Sequence, residues 1–223
     1  MRRDMPGGRD NGGLGVSSVT NIAIAGVGGQ GIILASDVVA NAALCAGHDV
    51  KKNEVHGMAQ RGGTVVSEIR FGRRVYSPLI PEGEVDVLVA LELLEGLRHV
   101  HRLRREGLTI ADDLRVLPAV RPPGAPQYPD DVAERLKGSA RQVLLLPAAE
   151  VAQKAGNAQA ANTVLIGALS RHVDIPLEAW KTALKSCLRP SLLEVNLRAF
   201  EAGRRRAGRG GQSPRRGRGG AGG

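Results

Sequence analysis

Cysteines and aromatic residues are scarce in this sequence, which has 223 residues, two cysteines and 2% aromatics. Cys45 and Cys187 lie far apart without a CxxC pattern, so they can build neither a disulfide framework nor an iron–sulfur or zinc site. We therefore expect no metal in this chain and predict that both cysteines are small buried apolar side chains. The lack of aromatics also leaves the ordered region without a stacking platform for nucleic acid.

Long apolar runs are missing as well. Asp37 and Asn41 interrupt the best candidate, which stays short of the roughly 18 apolar residues that a membrane helix needs. The first residues, MRRDMPGGRDNGG, carry charges that no apolar stretch follows, unlike a secretory signal. We expect a cytoplasmic protein that does not contact a membrane.

The net charge of +9 is concentrated at the ends of the chain. The first 18 residues contain three arginines and two aspartates, and residues 204–218 contain seven arginines and no acid. Of 31 basic and 22 acidic residues this leaves 21 and 20 for the middle, which is nearly neutral. Nucleic-acid-binding domains present a strong basic surface to phosphates, so we expect only non-specific binding, through the tail.

The two ends also differ from the middle in composition. Residues 1–18 and 204–223 are rich in glycine and arginine and lack periodic apolar positions. Because neither end can bury enough surface to offset the entropy of ordering, we predict that both are disordered. Residues 19–203 are then one domain.

Strands and helices alternate in this domain, which indicates an α/β class with a Rossmann-like, mostly parallel sheet flanked by helices. Residues 21–25 are typical of a buried strand, and residues 33–45 have apolar positions at helical spacing. Gly47 suits the residue just after that helix, and residues 48–52 form the next strand. This strand–helix–strand unit has the size of a βαβ crossover.

The next segments predict an antiparallel piece and a second parallel unit. Residues 64–71 and 74–77 resemble a hairpin turned at Gly72, because β-branched residues precede a glycine turn. Residues 86–111 follow as strand, helix and strand, beginning with the apolar run of a strand buried on both faces. Residues 117–129 contain five prolines and must be a loop.

The last part of the domain is predicted to be mainly helical. Apolar spacing indicates one strand and four helices, and Pro176 is suited to the first position of its helix. The predicted strand is 143–146, and the predicted helices are 130–137, 157–170, 176–187 and 191–202.

A glycine-rich motif of the GxGxxG form, Gly26–Gly31, connects the first strand to the first helix. Glycines there allow a tight turn and close backbone approach, and the helix N-terminus attracts phosphate. A turn needed only for close packing of helix and strand explains the motif equally well. The candidate binding residues are Gly28, Gly29, Gln30 and Gly31.

The second strand is followed by NEVHGMAQRGG, which contains acid–base side chains, an amide, an arginine and several glycines. A planar guanidinium beside exposed backbone N–H groups binds carboxylate or phosphate well. The alternative is that these side chains bind neighbouring carbonyls or a partner subunit. The candidate binding residues here are His56, Gln60, Arg61, Gly62 and Gly63.

We predict structural roles for the other charged residues and for Trp180. The charged residues on the helix after strand 86–91 favour an ordinary solvated face, opposite an apolar one. They are Glu92, Glu95, Arg98, His99, His101 and Arg102. Trp180 lies on a helical face with Ala183 and Leu184, which favours the core or a subunit interface.

Several segments together resemble the small subunit of indolepyruvate:ferredoxin oxidoreductase. They are NIAIAGVGGQGIILAS, KKNEVHGMAQRGGTVVSEIRFG, VYSPLIPEGEVDVLVALELLEGLR and ANTVLIGALS with IPLEAW and NLRAFEAG, which extend from about Asn21 to Gly203. The most specific pieces are EVHGMAQRGG and YSPLIPEGEVD. The domain is also similar to the gamma subunit or domain of pyruvate and other 2-oxoacid:ferredoxin oxidoreductases.

The resemblance implies that residues 19–203 are a gamma-type catalytic domain without a dinucleotide of its own. Thiamine diphosphate, magnesium and iron–sulfur clusters would belong to a larger partner subunit, and the sequence also lacks an acidic GDG-like motif. The implied reaction is oxidative decarboxylation of an arylpyruvate, with coenzyme A and ferredoxin as acceptors. The two glycine-containing loops would face coenzyme A, and this chain alone would be inactive.

Two other functions remain as alternatives. A free-standing dinucleotide-binding oxidoreductase would explain the GxGxxG loop. It requires an acid at the end of the second strand to bind ribose, whereas Lys51, Lys52 and Asn53 stand there. An RNA-associated protein is suggested only by the arginine–glycine tail.

Overall fold

The computed structural model describes residues 19–56, 63–116 and 127–210. They form a single six-stranded sheet with helices on both faces. The strands are β1 (Thr20–Val27), β2 (Asp49–His56), β3 (Thr64–Gly72), β4 (Val85–Ala90), β5 (Leu103–Asp112) and β6 (Gln142–Leu146). The helices are α1 (Ile32–Cys45), α2 (Leu93–His99), α3 (Val132–Ser139), α4 (Ala148–Ala155), α5 (Ala161–Leu169), α6 (Leu177–Cys187) and α7 (Pro190–Gly210).

The sheet has the order β2-β3-β1-β4-β5-β6. Strands β1, β4, β5 and β6 are parallel, and β3 is antiparallel to both of its neighbours, β1 and β2. β1 lies in the interior of the sheet, and its residues from Asn21 to Gly26 are buried. This burial explains the apolar run in the sequence, because such a strand is covered by helices on both faces.

The helices are divided unequally between the two faces. Ile22 and Ile24 of β1 point toward a core that includes residues of α1 and of the C-terminal helices α4–α7. Ala23 and Ala25 point the other way, toward α2 and α3. The helices after the adjacent strands β1 and β4 therefore leave the sheet on opposite faces. In open α/β sheets such a switch point opens a crevice at the carboxyl ends of the strands.

The predicted fold class is confirmed, with two corrections in its N-terminal half. β2 runs parallel to β1 as expected, but β3 lies between the two, so the first strand–helix–strand unit does not pair its own strands. Residues 74–77 form no strand, and the hairpin at Gly72 is wrong. β3 pairs instead with β2, which precedes it, and with β1. Both strands are longer than residues 74–77, and together they pair with the backbone N–H and C=O groups along both edges of β3.

β2 continues to His56 instead of ending at residue 52, so Glu54 lies within this strand and not in the loop that follows it. The other element predictions agree with the structure apart from details. Strands 86–91, 108–111 and 143–146 correspond to β4, β5 and β6, and Gly47 adopts the expected positive φ of 85° just after α1. Helix α4 was not predicted. The proline-rich segment is described only from residue 127 onward, so most of the predicted loop lies outside the described residues.

The predicted disorder of residues 204–223 is wrong for its first part. Helix α7 continues to Gly210 instead of ending near residue 202. Arg204 Nη1 donates a hydrogen bond of 2.7 Å to Ser170 Oγ, and Ala207 is only 7% exposed. Through these contacts the first turns of the arginine-rich segment pack against the helical layer and are ordered. The predicted disorder of residues 1–18, and of 211–223, lies outside the described residues.

Candidate functional site

The glycine loop between β1 and α1 forms one wall of the site. Gly29 and Gly31 have φ values of 102° and 79°, which only glycine adopts at little cost. A Cβ atom at Gly31 would lie 2.4 Å from Asn162 Nδ2 of α5. The loop glycines are therefore required both by the turn and by the close approach of a C-terminal helix.

Gln30 positions this loop through its side chain. Its Oε1 accepts a 2.7 Å hydrogen bond from the Val27 N–H, and its Nε2 donates a 3.1 Å bond to the Leu91 carbonyl. The amide thus connects the carboxyl ends of β1 and β4 across the switch point. A Cβ atom at Gly26 would lie 2.6 Å from Gln30 Oε1, which explains the first glycine of the motif. We interpret Gln30 as a positioning residue because these two bonds fix the loop to the end of β4.

A cleft of about 480 Å³ opens at the carboxyl ends of β1, β4 and β5. We call it the carboxyl-edge cleft. It lies where the fold predicts a ligand, at the switch point between β1 and β4. Its lining combines the glycine loop with the first residues after β4 and β5 and with the starts of α5 and α7. The lining residues are Gly29, Gln30, Gly31, Leu34, Leu91, Asp112, Leu114, Asn157, Ala158, Gln159, Ala160, Ala161, Asn162, Leu165, Leu188, Leu192 and Asn196.

The far wall of the carboxyl-edge cleft is rich in amide side chains. Asn162 Nδ2 donates a 3.3 Å hydrogen bond to the Gly31 carbonyl, and its Oδ1 accepts the Thr163 N–H at 2.7 Å. Thr163 Oγ1 donates a 2.7 Å bond to Asn196 Oδ1, which ties α5 to α7. Asn162 and Asn196 were not among the predicted site residues, although ANTVLIGALS and NLRAF contributed to the resemblance.

Among the described residues that line this cleft, only Asp112, at the end of β5, has an ionisable side chain. It is 2% exposed, and its Oδ1 accepts a 3.0 Å hydrogen bond from the Ala148 N–H. Burial raises the pKa of Asp112 to about 6, against the lowering effect of that N–H. No cation of the described residues faces the cleft. Its described walls therefore suit uncharged amide, hydroxyl and thiol groups better than phosphates.

The second predicted loop begins and ends beside the glycine loop. Sheet register places His56 opposite Val65 and Val27 opposite Thr64. The Gly63 carbonyl accepts a 3.0 Å hydrogen bond from the Gly28 N–H, so two of the predicted site residues are in direct contact. The His56 side chain lies outside the described part of the chain, as do Gln60, Arg61 and Gly62.

The charged helix after β4 differs from its prediction. Glu92 and Glu95 are 1% and 3% exposed, so the interpretation as a solvated face is wrong for these two residues. Glu92 caps α2, because its Oε2 accepts the Glu95 N–H at 2.8 Å, while its Oε1 accepts the Tyr128 hydroxyl at 2.6 Å. Arg98 and His101 are exposed as expected.

The cysteines were also assigned wrongly, because Cys45 is exposed and Cys187 is partly exposed. They lie at the ends of α1 and α6. The described residues contain no group of three or more His, Cys, Asp or Glu side chains that could hold a metal ion. They therefore do not fit the ligand set of an iron–sulfur cluster. Trp180 is fully buried against Phe200, which confirms its structural interpretation.

None of the described helices is long and apolar enough to cross a membrane. The fold and the cleft together define the class of protein, which is a doubly wound α/β domain with a neutral, amide-lined crevice at its switch point. The sequence model of the pyruvate ferredoxin/flavodoxin oxidoreductase family matches residues 21–206. The chain belongs to this family.

Similar proteins refine the assignment. The chain is 39% identical over 188 residues to an indolepyruvate oxidoreductase subunit, IorB, of Thermococcus kodakarensis, covering 82% of this chain and 93% of that protein. It superposes with a TM-score of 0.64 and 25% identity on the gamma subunit of a keto/oxoacid ferredoxin oxidoreductase from Geobacter sulfurreducens, covering 84% and 98%. These likenesses confirm the resemblance found in the sequence.

The same fold also occurs inside a longer chain. A 2-oxoglutarate:ferredoxin oxidoreductase from Magnetococcus marinus, solved with 2-oxoglutarate, coenzyme A and succinyl-CoA bound, superposes with a TM-score of 0.66. The match covers 86% of this chain and 31% of that one, at 22% identity. At this identity the likeness shows the fold alone.

Proposed function

We propose that this chain is the accessory subunit of an arylpyruvate:ferredoxin oxidoreductase, with indolepyruvate as its substrate. The observation that carries the proposal is the 39% identity to an indolepyruvate oxidoreductase subunit over 93% of that subunit's length. The 2-oxoacid loses carbon dioxide, the acyl group is transferred to coenzyme A, and two electrons pass to ferredoxin. Without its partner the chain is inactive.

A larger partner subunit holds thiamine diphosphate, magnesium and the iron–sulfur clusters. Thiamine diphosphate supplies the decarboxylation chemistry when it is bound there. The proposal is supported by the two separate cysteines of this chain, since a cluster requires more thiolate ligands than they provide. The proposed role of this chain is to bind and orient the acyl acceptor.

The proposed acceptor site is the carboxyl-edge cleft, occupied by the pantetheine arm of coenzyme A. This arm carries amides and a thiol and no charge, which matches the amide groups of Asn162 and Asn196 and the leucines around them. The phosphates would be repelled by an ionised Asp112 and have no cation within the described lining. Arg61 is the proposed phosphate contact, because a guanidinium forms bidentate bonds with phosphate oxygens.

A free-standing dinucleotide enzyme is less well supported. That function needs an acid at the end of the strand adjacent to β1 to bind ribose. In this fold β3 occupies that position and runs antiparallel, so its carboxyl end lies at the opposite edge of the sheet. The glycine loop is explained instead by Gln30 and by the approach of Asn162.

The proposed location is the cytoplasm, where unpaired thiols such as Cys45 and Cys187 remain reduced.

The proposal is tested on the complex made by coexpressing this chain with the large subunit. Asn162→Leu removes the amide at nearly constant volume, and Arg61→Lys keeps the charge but loses the planar fork. Each variant is expected to raise the KM for coenzyme A about tenfold, equivalent to about 1.4 kcal/mol. The KM for indolepyruvate should change little.

The matched control is Gln153→Ala, which removes an exposed amide from α4, outside the cleft. It should leave both KM values unchanged. Unchanged coenzyme A kinetics in Asn162→Leu would place the acceptor elsewhere. If either variant fails to copurify with the large subunit, the residue is an interface residue and its coenzyme A assignment is wrong.

A further inference from the structure

A second cavity, of about 530 Å³, lies between α4 and α7. We call it the α4/α7 groove. It shares no lining residue with the carboxyl-edge cleft. Its apolar floor is formed by Val151 and Ala155 of α4 and by Leu197 and Ala202 of α7. This floor is open to solvent, so another molecule can reach it.

The rim of the groove is basic. Lys154 on α4 and Arg205 and Arg206 on α7 line it and are exposed. Among the described residues, no carboxylate lies within ion-pair distance of any of these three. Arg198 is already paired with Glu194 one turn away. Glu201, the one acid in the lining, has Arg204 Nε at 3.9 Å from its carboxylate.

Most of this charge comes from the start of the arginine-rich segment. Arg205 and Arg206 belong to the run of arginines that begins at residue 204, and α7 places them beside an apolar strip, whereas residues 19–203 are nearly neutral. Cations at the edge of an apolar surface select a partner with acidic residues at the matching positions. They also increase the rate at which such a partner associates.

The length of the groove along α7 is sufficient for a short helix. Its α7 side extends from Leu197 to Arg206, which corresponds to about 14 Å of helix or some two and a half turns. A helix of this length has room for an apolar stripe at i, i+3, i+4 and i+7. Insertion of such a stripe between two helices is a known mode of peptide recognition.

Other occupants fit less well. Residues 211–223 of this chain contain three arginines and no acid, so the rim would repel the chain's own tail. Nucleic acid would pair with the cations of the rim but leave the aliphatic floor uncovered. None of the described residues that line the groove is aromatic, so they offer no stacking surface for bases. The combination of an aliphatic floor and a basic rim favours protein.

We propose that the α4/α7 groove is a docking site for an acidic amphipathic helix of a partner protein. Val151, Leu197 and Ala202 receive its apolar stripe. Lys154, Arg205 and Arg206 receive its flanking carboxylates. The proposal rests on this groove alone and is independent of the acceptor assigned to the carboxyl-edge cleft.

The test uses the full chain, alone and in its complex with the coexpressed large subunit. The probe is a fluorescein-labelled helical peptide of about 16 residues with leucines along one stripe and glutamates on both flanks. Its dissociation constant is measured by fluorescence anisotropy. Three further probes serve for comparison. They are a peptide of the same composition whose scrambled order abolishes the stripe, a peptide with lysines in place of the glutamates, and a single-stranded oligonucleotide.

The acidic amphipathic peptide is expected to bind about tenfold more tightly than the scrambled peptide, and the lysine analogue not at all. Arg205→Glu with Arg206→Glu should weaken binding by about tenfold or more. The matched control reverses the same charge at two exposed arginines outside the groove, Arg171→Glu with Arg189→Glu, and should change binding less than twofold. Loss of peptide binding only in the complex would identify the large subunit as the partner.

Equal binding of the amphipathic and scrambled peptides, or equal effects of the two double variants, would overturn the proposal. Tighter binding of the oligonucleotide, lost in Arg205→Glu with Arg206→Glu, would reassign the groove to nucleic acid. Tighter peptide binding after deletion of residues 211–223 would show that the tail itself occupies the groove.

Discussion

Substitution of Gly203 by alanine should separate the two C-terminal helices on which the carboxyl-edge cleft depends. A Cβ atom at Gly203 of α7 would lie 1.9 Å from the Val164 carbonyl oxygen of α5. A Cβ atom at Gly167 of α5 would lie 2.1 Å from the Phe200 carbonyl oxygen of α7. Because both obstacles are backbone atoms, no side-chain rotation can relieve either clash.

The magnitude follows from the distance. An ordinary van der Waals contact needs at least 3.4 Å, so α7 must move away by about 1.5 Å or bend. Overpacking of this kind costs about 1–3 kcal/mol, against a helix-propensity gain of up to about 1 kcal/mol for alanine. We expect Gly203→Ala to lose about 2 kcal/mol in its free energy of unfolding. The shift should also lengthen the hydrogen bond from Thr163 to Asn196.

The matched control is Gly208→Ala on the same helix, where an added Cβ meets nothing within 4 Å. It should gain about 0.5–1 kcal/mol from helix propensity alone. Urea unfolding of the purified chain, monitored by circular dichroism, measures both changes. The comparison requires that the wild type and the variants have the same dependence of the free energy of unfolding on urea concentration. A Gly203→Ala variant as stable as the wild type would refute the close packing of α5 and α7. No gain in Gly208→Ala would place the end of the helix before that residue.

Three further predictions concern stability. Burial raises the pKa of Asp112 to about 6 from its usual 3.8. The protonated carboxyl therefore stabilises the fold fully below pH 4, and this stabilisation is lost as the pH rises to 6. Urea titrations should show up to about 3 kcal/mol of pH dependence in the free energy of unfolding, which Asp112→Asn should lack. Burial and nearby arginines lower the pKa of His99 to about 4 from 6.5, so the free energy of unfolding is greatest above pH 6.5 and falls toward pH 4. His99→Gln should remove about as much pH dependence as Asp112→Asn does. If either variant keeps the pH profile of the wild type, the replaced side chain is not buried. Truncation after residue 210 should leave the melting temperature unchanged, whereas truncation after residue 203 should lower it by several degrees, because it removes the Arg204 hydrogen bond and buried Ala207.

The sequence predicts most of the sheet because the apolar runs of β1 and β4 and the glycine loop are local signals. The partner of β3 is not a local signal. Gly72 indicates a turn, but β1, which also pairs with β3, is separated from it along the chain by α1 and β2. Long-range pairing depends on which strands find an open edge, and no short window of sequence contains that information.

The candidate site was predicted only in part for a similar reason. The glycine loop is a contiguous motif, and Gly28 and Gly63 are in contact as two parts of one site. Asn162, Asn196 and Asp112 come from distant elements that meet only in the folded domain. Glu92 was assigned to a solvated face as part of a mixed charged run on a helix whose other face is apolar. Its position just before α2 makes it a buried cap instead.

In the proposed function this chain completes an arylpyruvate oxidoreductase without holding its cofactors. The most direct test purifies the two subunits separately, measures iron and thiamine in each, and mixes them with indolepyruvate, coenzyme A and ferredoxin. We expect iron and thiamine in the large subunit alone, and coenzyme A-dependent reduction of ferredoxin only after mixing, saturating at a fixed ratio of the two chains. Full activity of the large subunit without this chain, or stoichiometric iron bound to this chain at Cys45 or Cys187, would show that this division of roles is wrong.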